Sequence, residues 1–371
     1  MPHSIARVLW MIVISAVGAR VSAQSVGLTV LDRERGVLQH GTSVFILNLS
    51  TGTTISIGIG DHCAVDATSQ QVMTARNSKD GQQCDLTLLD VRTNVPTTLA
   101  KSSIAGRARR VVRTNFLSYP FCIELSHAGS INSQFLLFRV SVSEKDDVET
   151  RSFDADPLPG IAGVGSMALY LCFAEGDQDR YAAVIGVSPT AQRLFPELAP
   201  KDPRTAAMSP AAFVVVDRGK ITHGWPSVMR SMAIGNEWRY FGRIVAFRND
   251  HILVASASSD DDIAFWTVDA RSGKMAPLAW TRGVRGGILA INDSWKTAVF
   301  YGTEVRRPGR ETGVVRIVTA DGGNRVVGEF DDDVSLSAVF LGDEAIWTDG
   351  QHVWTWKQPG VVKTTDIHLG R

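Results

Sequence analysis

The sequence has no surplus of charge of either sign: 38 Lys and Arg stand against 38 Asp and Glu in 371 residues. A chain without a basic excess is poorly matched to nucleic acid, whose partners carry a net positive face. Cysteine is scarce, with four residues and no C-x-x-C pair, which excludes a disulfide-dominated miniprotein and the usual zinc spacings. No stretch holds 18 uninterrupted apolar residues, the length a membrane helix needs. Beyond residue 23, no segment keeps apolar residues at helical spacing for three turns. G-x-S-x-G, H-E-x-x-H, a Walker loop and an EF-hand loop are also missing, so no motif announces a reaction. What remains is the composition of an ordinary folded domain, 44% hydrophobic and 20% charged.

The first 23 residues read as an export signal. His3 and Arg7 precede the apolar run Val8 to Ala19, and Val21-Ser22-Ala23 offers the small residues a signal peptidase needs. At about 1.5 Å per residue the run covers only ~18 Å, short of the ~30 Å hydrocarbon core. Cleavage at this point removes Arg7 and Arg20 and leaves 36 basic against 38 acidic residues. Gln24, not cysteine, would follow the cut, so no lipid anchor is expected. The mature chain, residues 24–371, is expected to be extracytoplasmic, periplasmic or secreted, with no membrane span. In that compartment Cys63, Cys84, Cys122 and Cys172 are disulfide candidates. Cys63–Cys84 and Cys122–Cys172 are the favoured pairs; the alternative for Cys122 and Cys172 is a role as small buried hydrophobes.

Apolar alternation with period two dominates the rest, broken every few residues by Gly, Asn, Asp or Ser, which makes the chain all-β. A strand-and-turn unit recurs at Phe45 to Gly52, Thr87 to Asn94 and Trp266 to Gly273. In each, Asn or Asp can bond the turn backbone and Gly or Asn can take a positive φ. Weaker copies end near Lys145, Ala191, Gly219, Gly323 and Gly360; the 308 residues from Gly52 to Gly360 span seven intervals, a mean of 44. Four short strands every 40–50 residues are the signature of a propeller blade. Clean units fall at about 27–58, 62–100, 110–153, 161–195, 243–281, 284–330 and 336–366. The stretch 197–242, rich in proline, fits none of them and reads as an irregular segment or an insertion. The expectation is a single β-propeller domain of about seven four-stranded blades, with six or eight as alternatives and a large β-sandwich as the rival all-β architecture.

Units such as Ile263 to Met275 (IAFWTVDARSGKM) and Val44 to Ile57 (VFILNLSTGTTISI) make most of residues 27–366 resemble the secreted and periplasmic WD-like β-propeller families. No Gly-His or Trp-Asp dipeptide marks the strict WD40 repeat. The resemblance implies a toroidal scaffold, often with a ligand or partner at one rim of its channel, and no particular chemistry.

Asp61-His62-Cys63, with Asp66 nearby, is the most catalytic-looking cluster, yet adjacent strand residues point to opposite faces, so Asp61 is poorly placed to orient His62. Gly58-Ile59-Gly60 reads as a turn between units, and His251, after Asp250, as a solvated loop residue. Asp260 to Asp262 and Asp331 to Asp333 could gather a Ca²⁺ ion but read as charged loops that keep an edge soluble. Eight of the nine Trp lie after residue 224. Trp266, Trp354 and Trp356 sit in strands and are assigned to the core. Trp225, Trp238 and Tyr240, interleaved with Arg239 and Arg243, are the candidate binding residues, taken as Trp225, Trp238, Tyr240 and Arg243; such a group can stack on sugar rings or anchor a protein interface. A binding module for a protein or glycan partner is therefore expected, monomeric and without metal or other cofactor. The alternative is an extracytoplasmic hydrolase or lyase that collects its residues at the channel mouth. Asn48-Leu49-Ser50 and Asn292-Asp293-Ser294 also fit the glycosylation acceptor pattern.

Overall fold

The computed structural model describes residues 26–369 apart from 94, 117–118, 128–132, 146–147, 162–164, 176–178, 188–210, 227, 232–236, 259–262, 282–284, 308–309, 321–322, 331–333 and 358–361. In several strand stretches, 225–243 among them, only the backbone is described. The export signal over residues 1–23 and both Asp-Asp-Asp runs lie outside the described residues.

The chain forms a seven-bladed β-propeller of antiparallel meanders. The first sheet holds β1 (Val26–Val30), β2 (Arg35–His40), β3 (Ser43–Asn48) and β4 (Thr54–Ile59). The second holds β5 (His62–Asp66), β6 (Gln71–Asn77), β7 (Gln83–Asp90) and β8 (Thr97–Ala105). The third holds β9 (Arg107–Phe116), β10 (Tyr119–Ser126), β11 (Ser133–Lys145) and β12 (Val148–Pro157). The fourth holds β13 (Gly165–Phe173), β14 (Arg180–Val187), β15 (Ala211–Asp217) and β16 (Lys220–Pro226). The fifth has five strands, β17 (Val228–Ser231), β18 (Glu237–Arg248), β19 (His251–Ser258), β20 (Ile263–Asp269) and β21 (Met275–Thr281). The sixth holds β22 (Arg285–Ile291), β23 (Thr297–Arg307), β24 (Arg310–Thr319) and β25 (Asn324–Phe330). The seventh holds β26 (Ser337–Leu341), β27 (Glu344–Thr348), β28 (His352–Trp356) and β29 (Lys363–Asp366).

The described residues fall into two compact units. One runs from Pro159 to Val334 and contains the fourth to sixth sheets; the other joins residues 24–158 to Ser335–Arg371 and contains the first, second, third and seventh. Within the second unit, among the described residues, the first and last sheets meet without exchanging a strand. The Leu28 amide donates to Ser337 Oγ at 2.9 Å, and Thr53 bridges His368 in parallel. Gly52 lies at this seam with φ +71°; a Cβ there would sit 1.8 Å from the Asp366 carbonyl oxygen, so both the turn and the seam require glycine.

Inner strands such as β3 and β19 are apolar on both faces because their sheets are covered on both sides within their own unit. On β3, Val44 and Ile46 pack toward Val65, Val72 and Leu89 of the second sheet. Phe45 and Leu47 point the other way, to Ile346 and Val353 of the seventh. In the other unit, Ile252 and Val254 of β19 join Ala182, Val184, Phe213 and Trp266, whereas Leu253 joins Ile288 and Phe300. Trp266 and Trp356 are buried and Trp354 is half-buried, stacked on Trp347 with ring centroids 6.3 Å apart. The recurrent turn reads as expected. Asn48 Oδ1 accepts the amides of Ser50 and Thr51, Asp90 Oδ1 that of Arg92, and Asp269 Oδ1 those of Arg271 and Ser272.

Two expectations need correction. The disulfides Cys63–Cys84 and Cys122–Cys172 do not form; all four cysteines are free. Cys63 lies on β5 opposite Thr74, and Cys84 on β7 opposite Asn77, so a whole strand separates them. Two strand spacings of ~4.8 Å exceed the ~7 Å limit between bridged Cα atoms. Cys122 and Cys172 lie in different sheets as buried or half-buried thiols. The second finding concerns 197–242: residues 211–217, 220–226, 228–231 and 237–242 are strand, in the fourth and fifth sheets. The fourth sheet extends to Pro226 because residues 188–210 separate its second strand from its third, and that spacing broke the repeat in the sequence.

Arg180 is the most deeply set of the ion-pairing arginines. Its guanidinium meets Asp250 at 2.5 Å and Asp217 at 3.5 Å and lies 5.3 Å from the Phe247 ring. Arg180 holds the Asp250 carboxyl below the usual carboxylate range, and Arg271 adds to this. A lowered folded-state pKa gives stability that is complete above the usual carboxylate range and is lost as pH falls through it. Arg180→Met should cost about 2 kcal/mol, since it removes a charge-assisted hydrogen bond and leaves the half-buried Asp250 carboxylate with the exposed Arg271 alone. Arg139→Met, which removes a pair with Asp154 that is nearly half exposed on both sides, should cost under ~1 kcal/mol. Denaturant melts at pH 7 would check the contrast, and the R180M deficit should shrink on acidification. Thiol titration makes a second check. Burial pushes Cys63 and Cys172 up to about 12 and Cys84 to about 11, and it raises Cys122 as well. The native chain should therefore react slowly with a thiol reagent at pH 8, and all four thiols should react at once in guanidinium without reductant.

Candidate functional site

A meander has two ends. One carries the turns between first and second and between third and fourth strands. The other carries the turn between second and third strands and the link to the next sheet. In the Pro159–Val334 unit, the first of these ends is tied by ion pairs. Asp250, in the β18–β19 turn, receives Arg180 and Arg271, the latter at 2.7 Å. Arg248 reaches Glu175 at 2.6 Å, Asp293 at 3.1 Å and the Asn292 carbonyl at 3.0 Å. His251 is exposed beside the Trp295 ring, 6.4 Å between centroids. Arginine and carboxylate are matched here to one another, and the arrangement holds turns.

The second end of the same unit gathers the residues singled out from the sequence. Trp225 stands at the end of β16, opposite Phe213. Trp238 and Tyr240 stand in the N-terminal half of β18, opposite Arg230 and Val228 of β17. Two residues apart on one strand, they share a face of the sheet. Arg243 follows a register shift after Phe241 and pairs with Ala255. The side chains of these four residues lie outside the described ones, so their placement rests on the backbone. Strand β17 was not legible in the sequence: Val228-Met229-Arg230-Ser231 is too short and too mixed to signal a strand alone.

The Asp61-His62-Cys63 cluster is not brought together for catalysis. Asp61 Oδ2 accepts the Asn77 amide at 2.6 Å, which fixes the link into β5. Burial is the main influence on His62 and pushes its pKa down, against the pull of Asp61. The Cys63 thiol donates to Gln39 Oε1 at 3.3 Å and stays protonated. Asp66 caps the Thr68 amide and pairs with Arg113 at 2.9 Å. Gly58 and Gly60 flank the end of β4, as expected of a link between sheets. Among the described residues, no group of three or more His, Cys, Asp and Glu could hold a metal ion, and no helix is long and apolar enough to cross a membrane.

One histidine that the sequence did not single out stands between carboxylates. His352 Nδ1 is 3.1 Å from Asp349 Oδ2, and Nε2 is 3.8 Å from Asp366 Oδ1. Asp349 Oδ1 accepts the amides of Gln351 and His352, and the Trp354 ring covers the imidazole at 5.4 Å. These contacts fix the β27–β28 turn and fasten it to β29. The signal was Asp349-Gly350-Gln351-His352, legible as a turn and silent about Asp366, which only the sheet register delivers.

No protein-family model and no curated protein matches the sequence. Solved structures do match its fold. The β-propeller domain of Cps50 (Swd1) from Myceliophteria thermophila aligns over 91% of this chain and 97% of its own, at 10% identity and a TM-score of 0.51. The β-propeller domain of the Trilobed protease from Pyrococcus furiosus, described as having an open velcro topology, aligns over 94% of this chain and 100% of its own, at 12% identity and a TM-score of 0.52. The tricorn protease aligns over 94% of this chain and 35% of its own, at 10% identity and a TM-score of 0.52. At such identities the likeness establishes the β-propeller and leaves the chemistry to the residues.

Proposed function

We propose that this chain is an exported interaction module that captures a protein or glycan partner with Trp225, Trp238, Tyr240 and Arg243. The observation that supports the reading is on the backbone: Trp225, Trp238 and Tyr240 stand toward one end of their strands, with Arg243 further along β18. There β17 adds a strand that no other sheet has. Aromatic side chains offer large contact area at little entropic cost, and arginine adds directed donors, so this set suits a protein epitope or a sugar ring. Export rests on residues 1–23, with their apolar run and small-residue cleavage pattern. The alternative of a hydrolase or lyase is not favoured by His352, whose carboxylate neighbours belong to a turn and a strand end.

Purified residues 24–371 should retain a partner from extracytoplasmic extract or give a saturable Trp-fluorescence change with a glycan. Trp238→Ala or Tyr240→Ala should weaken that binding about 30-fold, the equivalent of ~2 kcal/mol, with an unchanged melting temperature. Undiminished binding by folded variants would remove this site. For export, N-terminal sequencing of the chain from expressing cells should begin at Gln24; a chain that retains Met1 or Pro2 would overturn it.

A further inference from the structure

The first two sheets close on each other at one end only. On the face of the second sheet that meets the first, Val65, Val72 and Leu89 form the packed end. The other end of that face is polar. Arg76 stands opposite Asp85, Asp85 opposite Ser103, and Thr87 opposite Lys101. Across from them Ile59, at the end of β4, is 53% exposed. Between them opens a crevice of about 600 Å³, within the ~300–1,000 Å³ range of small-molecule sites.

The link that follows Ile59 is fixed. Gln39 Nε2 donates to the carbonyls of Gly60 at 3.2 Å and Asp61 at 2.9 Å, and Asp61 holds the Asn77 amide. The chain passes so close to β6 that a Cβ on Gly60 would lie 3.0 Å from Thr74 Cβ. The walls are therefore set by the fold, and the side chains that line the opening project from strands. Cross-strand neighbours lie ~5 Å apart, close enough for one ligand to touch several.

The lining selects a ligand by its donors and acceptors. Arg76 and Lys101 can only donate and carry positive charge, so they call for an anionic acceptor. Asp85 can only accept while ionised, so the ligand must also bring a hydroxyl or amine donor. Thr87 and Ser103 suit either role. Ile59 offers an apolar surface for C–H groups. A bare polyanion would face Asp85, and a neutral sugar would leave one positive charge in excess, since two cations stand beside a single carboxylate. We infer that this crevice binds a sugar acid, with its carboxylate on Arg76 and Lys101, a ring hydroxyl donating to Asp85, and its C–H face on Ile59. The site is separate from the aromatic residues of the other unit and does not rest on them.

Calorimetric titration of residues 24–371 with glucuronate, glucose and acetate tests the assignment. Glucuronate should bind saturably and at least tenfold more tightly than either glucose or acetate. The double variant Arg76→Ala/Lys101→Ala should weaken glucuronate at least tenfold. Asp85→Ala should narrow the preference for glucuronate over acetate. Each altered side chain is exposed, and an unchanged melting temperature would show the variants folded. Trp238→Ala should leave glucuronate binding as it is. An absence of saturable glucuronate binding, equal affinity for acetate, or full affinity in the folded double variant would each overturn the inference.

Discussion

A sheet of short strands that is apolar on both faces must find cover on both, and the inner strands β3 and β19 show how each unit meets this requirement. β3 sends Val44 and Ile46 to one neighbour and Phe45 and Leu47 to another, and β19 divides Ile252 and Val254 from Leu253 in the same way. Two-sided cover explains why the strands read as apolar runs rather than clean alternation. It also explains the absence of strand exchange between the first and last sheets. Their faces meet in one core, with Leu28, Leu38, Phe45, Ile346 and Val353, and the Thr53–His368 bridge adds a backbone fastening.

Flat apolar faces alone do not fix how neighbouring sheets are aligned, because dispersion and burial are weakly directional. Arginine supplies direction at the turn ends. In one unit Arg35 reaches the Val91 carbonyl and Gln70, and Arg113 reaches Asp66. In the other, Arg180 and Arg248 reach across to Asp250 and Glu175. Each guanidinium offers several donors in a rigid fork, so one side chain can tie a turn carboxylate and a neighbouring carbonyl together. The acids involved, Asp66 and Asp250 among them, also stabilise turns of their own sheets, which links turn chemistry to the alignment of sheets.

Polar end and apolar end are thus separate parts of the scaffold. Turn ends are consumed by structure, with charges answered inside the fold. The proposed aromatic face of one unit and the polar crevice of the other lie at the opposite ends of their strands, where links between sheets begin and end. That division suits a binding protein, since side chains set on strands hold their positions better than those on loops. Asp61, Asp66 and Asp349 are used in the same way to cap amides, and the burial of His62 disfavours its charged form.

Much of this was legible in the chain itself, because it depends on interactions a few residues long. Asn48, Asp90 and Asp269 bond amides two or three positions ahead, so their turns, the strands beside them and the blade repeat follow from local chemistry. Five of the seven blades fall close to the boundaries read from the sequence. The fourth and fifth did not, because residues 188–210 lie in sequence between two strands of the fourth that pair through space, and the short β17 that opens the fifth carries no strand signal of its own. The cysteines failed for a related reason: spacing suggested Cys63 and Cys84 as partners, and register put a strand between them. Trp238 and Tyr240 were visible as an aromatic group, whereas β17 beside them was not. The crevice of Arg76, Asp85, Thr87 and Lys101 was wholly invisible, since its members become neighbours only across strands. Periodicity and turn chemistry determined the strands and the blades; strand register and the packing of sheet on sheet decided which side chains share a surface, because those contacts join residues far apart in the chain.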